Sequence, residues 1–164
     1  MITWGILILL ADQVTKEMIR SSLSVGERIP VIDGLFNIVF VWNRGAAFSF
    51  LSGSEGNWGP IFLKIASVVA LAFIISLYNE FEHEGWTIKY AFILIFGGAI
   101  GNMWDRFAFG KVTDFLDVYV GTYHWPAFNV ADACISIGLV LMLLHWARQY
   151  MRGEGMFSPE PDKD

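Results

Sequence analysis

Charge is what this chain has least of. Only 16% of its 164 residues are Asp, Glu, Lys or Arg, while 55% are hydrophobic and 16% aromatic. A soluble domain of this size carries more charge, so the composition and a mean hydropathy of +0.50 point to a small polytopic membrane protein, one compact unit over residues 1–150. There is one cysteine, Cys134, which excludes an internal disulfide and a Cys-rich zinc site. The three histidines, His83, His124 and His145, are too dispersed to form a metal cluster, and no cofactor is expected. No basic cluster exists and the formal net charge is −5, which argues against a nucleic-acid partner. G-x-S-x-G and H-E-x-x-H are absent, and Cys134 has no histidine near it in sequence.

What is present is a set of four long apolar segments, expected as transmembrane helices over about 2–19, 60–78, 90–107 and 127–148. The first has no basic region before it and no small-x-small cleavage site, so it reads as a membrane helix and not as a removable signal peptide. Lys64 sits close enough to the end of the second to snorkel. Between the first two lies a stretch of different texture, Leu35-Phe36-Asn37-Ile38-Val39-Phe40-Val41-Trp42-Asn43, β-branched and aromatic, bounded by Asp33-Gly34 and Asn43-Arg44-Gly45. It predicts a small β element, over about 29–50, lying at the membrane surface with Phe36, Ile38, Phe40 and Trp42 on one face. Residues 151–164 read as a disordered tail. The distribution of Lys and Arg does not by itself orient the chain.

Against that apolar background two aspartates stand out. Asp132 is the one charged residue between Ala127 and Ala147, and Asp114 lies 18 residues upstream. An ionisable group within a membrane segment costs at least ~2.5 kcal/mol and marks function by default. Asp132 also suits a structural role, three residues into a helix capped by Asn129, and Asp114 could be an ordinary loop residue. If both helix ends face one side of the membrane, the carboxylates converge at one depth and share a proton. The neutral one can then donate to a substrate carbonyl while the ionised one takes a proton from water, which is peptide hydrolysis without a covalent intermediate.

Other polar residues repeat a helical spacing. Asp12 and Lys16 stand at i, i+4, as do Asn102 and Arg106. For the first pair an intrahelical ion pair that eases insertion carries more weight than a brace behind the site. Arg106 reads either as an interfacial anchor or as a group that favours ionised aspartates or holds a peptide carbonyl. Gly97 and Gly101 suggest close helix packing. Asp105 and Asp117 rank lower, as solvated or capping acids.

In order, Asp12-Gln13-Val14-Thr15-Lys16, Asn43-Arg44-Gly45-Ala46-Ala47-Phe48-Ser49-Phe50, Gly97-Gly98-Ala99-Ile100-Gly101-Asn102-Met103-Trp104-Asp105-Arg106, Val112-Thr113-Asp114-Phe115 and Phe128-Asn129-Val130-Ala131-Asp132 resemble the five sequence blocks of the bacterial lipoprotein signal peptidases, the signal peptidase II family. The resemblance runs from residue 12 to about Gly138. It implies a four-helix aspartyl endopeptidase of the bacterial inner membrane, both termini cytoplasmic, with its site near the periplasmic face. Such an enzyme removes the signal peptide of diacylglyceryl-modified prolipoproteins, cutting before the lipidated cysteine. By that similarity Asp114 and Asp132 match the catalytic pair, and Asp12, Lys16, Asn43, Asn102, Arg106 and Asn129 match its polar support. The β element resembles the family's cradle, beside a loop that closes over substrate. Partners implied are prolipoproteins, membrane lipid and globomycin-type inhibitors, and a monomer is expected. One departure is the short lead before Asp12, which implies a short first helix or a start further upstream. A reading from another class, a non-enzymatic proton relay or lipoprotein-assembly scaffold, would use the same buried acids as a transfer chain.

Overall fold

The computed structural model describes residues 2–45 and 58–153. Four long helices run through them: α1 (Ile2–Ser22), α2 (Trp58–Phe81), α3 (Trp86–Phe109) and α4 (Val130–Met151). Four strands accompany them: β1 (Arg28–Ile32), β2 (Phe36–Asn43), β3 (Val112–Val120) and β4 (Tyr123–His124). At 1.5 Å per residue the 24-residue helices α2 and α3 reach about 36 Å, enough for a ~30 Å hydrocarbon layer. α2 and α4 are both long and apolar enough to cross a membrane. α1 and α3 have the length but carry Asp12, Lys16, Asn102 and Asp105 inside the bundle.

The surface is inverted relative to a soluble protein. Ile65, Val69 and Phe73 of α2 and Ile137, Val140 and Leu143 of α4 are exposed, while Asp12, Lys16, Asp105 and Asn129 have no exposed surface at all. In water such a contiguous apolar patch would drive association; in lipid it is solvated, and the polar groups must pair inside.

α3 is the hub. It packs on α1, α2 and α4, whereas α2 rests chiefly on α3. At one end Phe81, Ile88, Phe92, Ile95 and Met142 form an apolar cluster, with Tyr78 edge-on to Phe92 at 5.7 Å and Phe81 edge-on to Trp146 at 5.9 Å. Towards the other end glycine brings backbones together. A Cβ on Gly98 would collide with the Ala131 carbonyl of α4, and one on Gly101 would lie 2.6 Å from the Asp12 carboxylate. The Gly97–Gly101 spacing therefore does serve close helix packing, and Gly101 additionally makes room for a charged side chain.

The β element is larger than the sequence suggests. It is a four-stranded antiparallel sheet in the order β1-β2-β3-β4, and residues 46–50 of the expected element lie outside the described residues, as do 154–164 of the expected tail. β3 corrects the placing of Asp114 in a loop at the exit of the third helix: Asp114 is the third residue of a nine-residue strand paired with β2. Aspartate disfavours strands, and two of them in Val-Thr-Asp-Phe-Leu-Asp-Val hid an otherwise β-rich run whose acids are satisfied by tertiary partners.

The one-face expectation for Phe36, Ile38, Phe40 and Trp42 is also corrected. Ile38 pairs with Leu116, but a bulge then shifts the register so that Val41 pairs with Asp114, Trp42 with Thr113 and Asn43 with Val112. An extra residue exchanges the faces of everything beyond it. Trp42 thus leaves the face of Ile38, and Asn43 arrives on the face of Asp114.

Candidate functional site

Five elements meet where β3 and the start of α4 come together. Asn129 caps α4 with a full capping box: its Oδ1 accepts from the Asp132 backbone N–H at 3.0 Å, and its own backbone N–H donates to Asp132 Oδ2 at 3.2 Å. The Asn129 amide nitrogen is left free to reach across to β3, where it donates to Asp114 Oδ1 at 2.7 Å. One asparagine therefore touches both acids. Asp114 is almost wholly buried and Asp132 half-buried, so the exposed part of the pair is on Asp132.

A second amide ties the pair to the helices. Asn102 of α3 donates from Nδ2 to Asp132 Oδ1 at 2.7 Å, while its Oδ1 accepts from Lys16 Nζ at 3.0 Å and from Asn129 Nδ2 at 3.1 Å. The Lys16 ammonium thereby fixes which end of Asn102 faces Asp132, because a cation cannot sit against the NH₂ end. Asn43, brought round by the β2 bulge, donates to Asp114 Oδ2 at 2.9 Å. Each aspartate receives two hydrogen bonds from this set of asparagines.

Behind it lies an ion cluster. Lys16 Nζ is 2.8 Å from Asp12 Oδ2 and 3.5 Å from Asp105 Oδ2, all three fully buried. Asp12 also accepts the Ala131 backbone N–H of α4 at 2.9 Å, and Asp105 accepts the Thr113 N–H of β3 at 2.9 Å. The Asp12–Lys16 pair is consequently more than an intrahelical ion pair: it joins α1 to α3 and α4 directly behind the acids. Asp105, ranked low as a solvated or capping acid, is corrected. It is sealed in because Lys16 needs a second counter-charge and the N-terminus of β3 needs an acceptor. Its position three residues after Asn102, on the same helix face, was the signal that could have found it. Gln13, which donates to Asp12, Asp105 and the Gly101 carbonyl, carried no sequence signal beyond adjacency to Asp12.

Arg106 lies apart from this hydrogen-bond set. Its guanidinium donates to Ser67 Oγ of α2 at 3.4 Å, and its charge interacts with Asp132, Asp114 and Asp105. Asp117 is likewise no solvated acid. It accepts Asn37 Nδ2 at 2.7 Å, lies 2.8 Å from His124 Nδ1 and 3.8 Å from Arg28. Burial works to raise its pKa, but these hydrogen bonds and charges outweigh it and hold the carboxyl below the usual range. It stabilises the far part of the sheet and, three residues along β3, lies on the opposite face from Asp114.

For Asp114 the balance goes the other way. Burial is the largest influence, joined by the charge of Asp132, and it prevails over the hydrogen bonds from Asn43 and Asn129, so the carboxyl is pushed up to about 6. No group of three or more His, Cys, Asp or Glu among the described residues could hold a metal ion. What the arrangement can do is hold two carboxylates at one spot, one of them half-protonated near pH 6, with the other partly exposed.

Fold and site together define a small helical membrane enzyme with carboxylates at its centre. Two solved bacterial membrane enzymes, determined in meso, share the architecture: one at a TM-score of 0.80 and 28% identity, covering 98% of this chain and 93% of its own, the other at 0.77 and 30% identity, covering 87% and 89%. The family described as signal peptidase (SPase) II matches residues 5–148. A lipoprotein signal peptidase of Geobacter sulfurreducens is 45% identical over 144 residues, 88% of this chain and 89% of that protein. One of Cupriavidus taiwanensis is 46% identical over 149 residues, 90% and 82%. The chain belongs to the signal peptidase II family, the bacterial membrane aspartic proteases that remove the signal peptides of lipoproteins. A non-enzymatic relay or scaffold is not favoured by these findings.

Proposed function

We propose that Asp114 and Asp132 are the catalytic pair of this lipoprotein signal peptidase, that all four helices cross the bacterial inner membrane, and that the pair works near its periplasmic face. The observation that carries the assignment is Asn129, which bonds to both acids at once. In the resting pair Asp114 carries the shared proton, in keeping with its raised pKa, and Asp132 serves as the base. Asp132 takes a proton from water as the oxygen attacks the scissile carbonyl, and Asp114 gives its proton to the carbonyl oxygen. Collapse of the tetrahedral diol breaks the C–N bond, and the departing amine takes the proton held by Asp132. Asp114 recovers its own from the second hydroxyl, and the pair returns to its starting state.

Asn43, Asn102 and Asn129 keep the carboxylates in place as acceptors, and Asp12 and Lys16 hold Asn102 and the start of α4. Arg106, free of direct bonds to the acids, is placed to grip a carbonyl of the bound peptide. A signal peptide arrives as a helix in the membrane and must be extended where it is cut; the sheet beside the site can hold that extended piece by backbone hydrogen bonds. Cleavage falls before the diacylglyceryl-modified cysteine, whose acyl chains stay in lipid, and a globomycin-type cyclic peptide would occupy the same space. The working unit is taken to be the monomer, because α1, β2, β3, α3 and α4 of one chain complete the hydrogen-bond set around the two acids. The test is purified protein with a defined diacylated precursor. A product beginning at the lipidated cysteine, suppressed by globomycin, is expected; cleavage elsewhere overturns the reading.

A further inference from the structure

One apolar surface beside the site has a built shape. Ile61, Lys64, Ile65, Val68 and Val69 recur along one stripe of α2, and with Phe107 in the last turn of α3 they line an open groove of about 290 Å³. Its lining is apolar apart from Lys64. The Lys64 ammonium lies 5.5 Å from the centre of the Phe107 ring and has no acidic partner among the described residues. The groove is at the same end of the bundle as the acids, because Arg106, next to Phe107, bonds to Ser67, one turn beyond Lys64 on α2.

We propose that this groove binds one anionic glycerophospholipid of the surrounding bilayer, its phosphate on Lys64 and one acyl chain along Ile65, Val68 and Val69. The inference rests on the reading that α2 and α3 cross the membrane. Lys64 stands six residues into α2, about 9 Å from its end, which is the depth where a snorkelling ammonium meets lipid phosphates. A phosphate gives that cation a charge-assisted partner, whereas an uncharged diacylglyceryl group would leave it unpaired at the edge of the hydrocarbon. The apolar stripe runs from Lys64 away from the helix end, the direction an acyl chain takes from its headgroup. α2 rests chiefly on α3, and a lipid seated there packs both helices beside Arg106.

The test is native mass spectrometry of the full chain in detergent, titrated with phosphatidylglycerol, diacylglycerol of the same chains, or inorganic phosphate. Wild type should retain one phosphatidylglycerol about tenfold more tightly than diacylglycerol, the equivalent of ~1.4 kcal/mol. Lys64→Gln should abolish that preference, Val68→Trp should abolish retention of both lipids, and Lys89→Gln, at the opposite end of α3, should change neither. Equal retention by all variants would mean a non-specific lipid annulus and overturn the proposal. So would displacement of the lipid by inorganic phosphate alone. Competitive displacement by diacylated precursor, with KM raised by Val68→Trp but not by Lys64→Gln, would assign the groove to substrate instead. Precursor cleavage by the same preparations separates the two levels: a wild type that cleaves but retains no lipid loses this site and keeps its function.

Discussion

Asn129 donates its side-chain amide to Asp114 at 2.7 Å while Asp132 accepts its backbone N–H at 3.2 Å. A helix cap and a strand residue are thus joined through one side chain, and the stability of α4 and the alignment of the acids depend on the same group. Asn129→Asp separates the two roles. Aspartate caps as well as asparagine, so the cap's own contribution to α4 should be kept. It supplies no amide hydrogen and places a third carboxylate against Asp114, so cleavage should fall by about 10²-fold or more. Asn129→Ala should lose activity and in addition about 1 kcal/mol of stability. Thermal unfolding beside a precursor assay reads both, and an Asn129→Asp enzyme of normal activity would count against the bridging role.

The raised pKa of Asp114 has consequences for activity. With the carboxyl at about 6, the singly protonated pair is depleted as pH rises through that value, so kcat/KM should fall above about pH 6, and fall again on the acid side when a second proton binds. The two apparent values belong to the pair and not to one residue. A profile flat from pH 5 to 8 would refute proton sharing.

The same shift fixes the sign of a stability effect. Asp114 binds its proton more tightly folded than unfolded, where its pKa is 3.8, so its contribution is full below about pH 4 and is lost as pH rises through about 6. Asp114→Asn removes this dependence. The difference in melting temperature between wild type and variant should therefore change across pH 4 to 7, with the variant gaining relative stability at the upper end; a constant difference would contradict the raised pKa.

Lys16 is enclosed between Asp12 and Asp105. Lys16→Met leaves the buried Asp12 carboxylate without its cation and Asp105 with Arg20 alone, 3.5 Å away, and should cost about 3–5 kcal/mol, with loss of activity because Asn102 is no longer oriented. Adding Asp12→Asn should recover part of the stability. Single and double variants compared by thermal unfolding check this, and a Lys16→Met protein as stable as wild type would show the cluster to be energetically idle.

Gly101→Ala puts a methyl group 2.6 Å from the Asp12 carboxylate. Overpacking of this kind costs about 1–3 kcal/mol, and here the displaced group is a partner of both Lys16 and the Ala131 N–H. Activity and melting temperature should fall together; an unchanged pair of values would show that Asp12 can yield without consequence.

The helices were legible because apolar runs of twenty residues admit few other readings, and their ends moved by only a few residues on either side. Asp132 was legible for the same reason: a lone charge in such a run is conspicuous. Asp114 was found as an acid but not as a strand residue, since the pattern of β3 is interrupted by aspartates whose partners, Asn43 and Asn129 for Asp114 and Asn37 and His124 for Asp117, lie far away in sequence. The β2 bulge left no local mark either, because period-two alternation continues through Phe40 and Trp42 whichever face they take. Asp105 was undervalued because an acid at a helix end looks solvated until the cation facing it is known to be buried. The amide bridges of Asn102 and Asn129 are tertiary by nature: the sequence marked Asn129 as a helix cap and Asn102 as the i, i+4 partner of Arg106, and the ordered blocks of the family resemblance set both beside the acids.

The central claim is that Asp114 and Asp132 act as one acid–base unit. Purified Asp114→Asn and Asp132→Asn proteins, each assayed against a diacylated precursor, test it most directly. Each is expected to keep a cooperative thermal transition and to lose about 10²–10⁴-fold in cleavage. Near-normal turnover in either one, with the fold intact, would contradict the account.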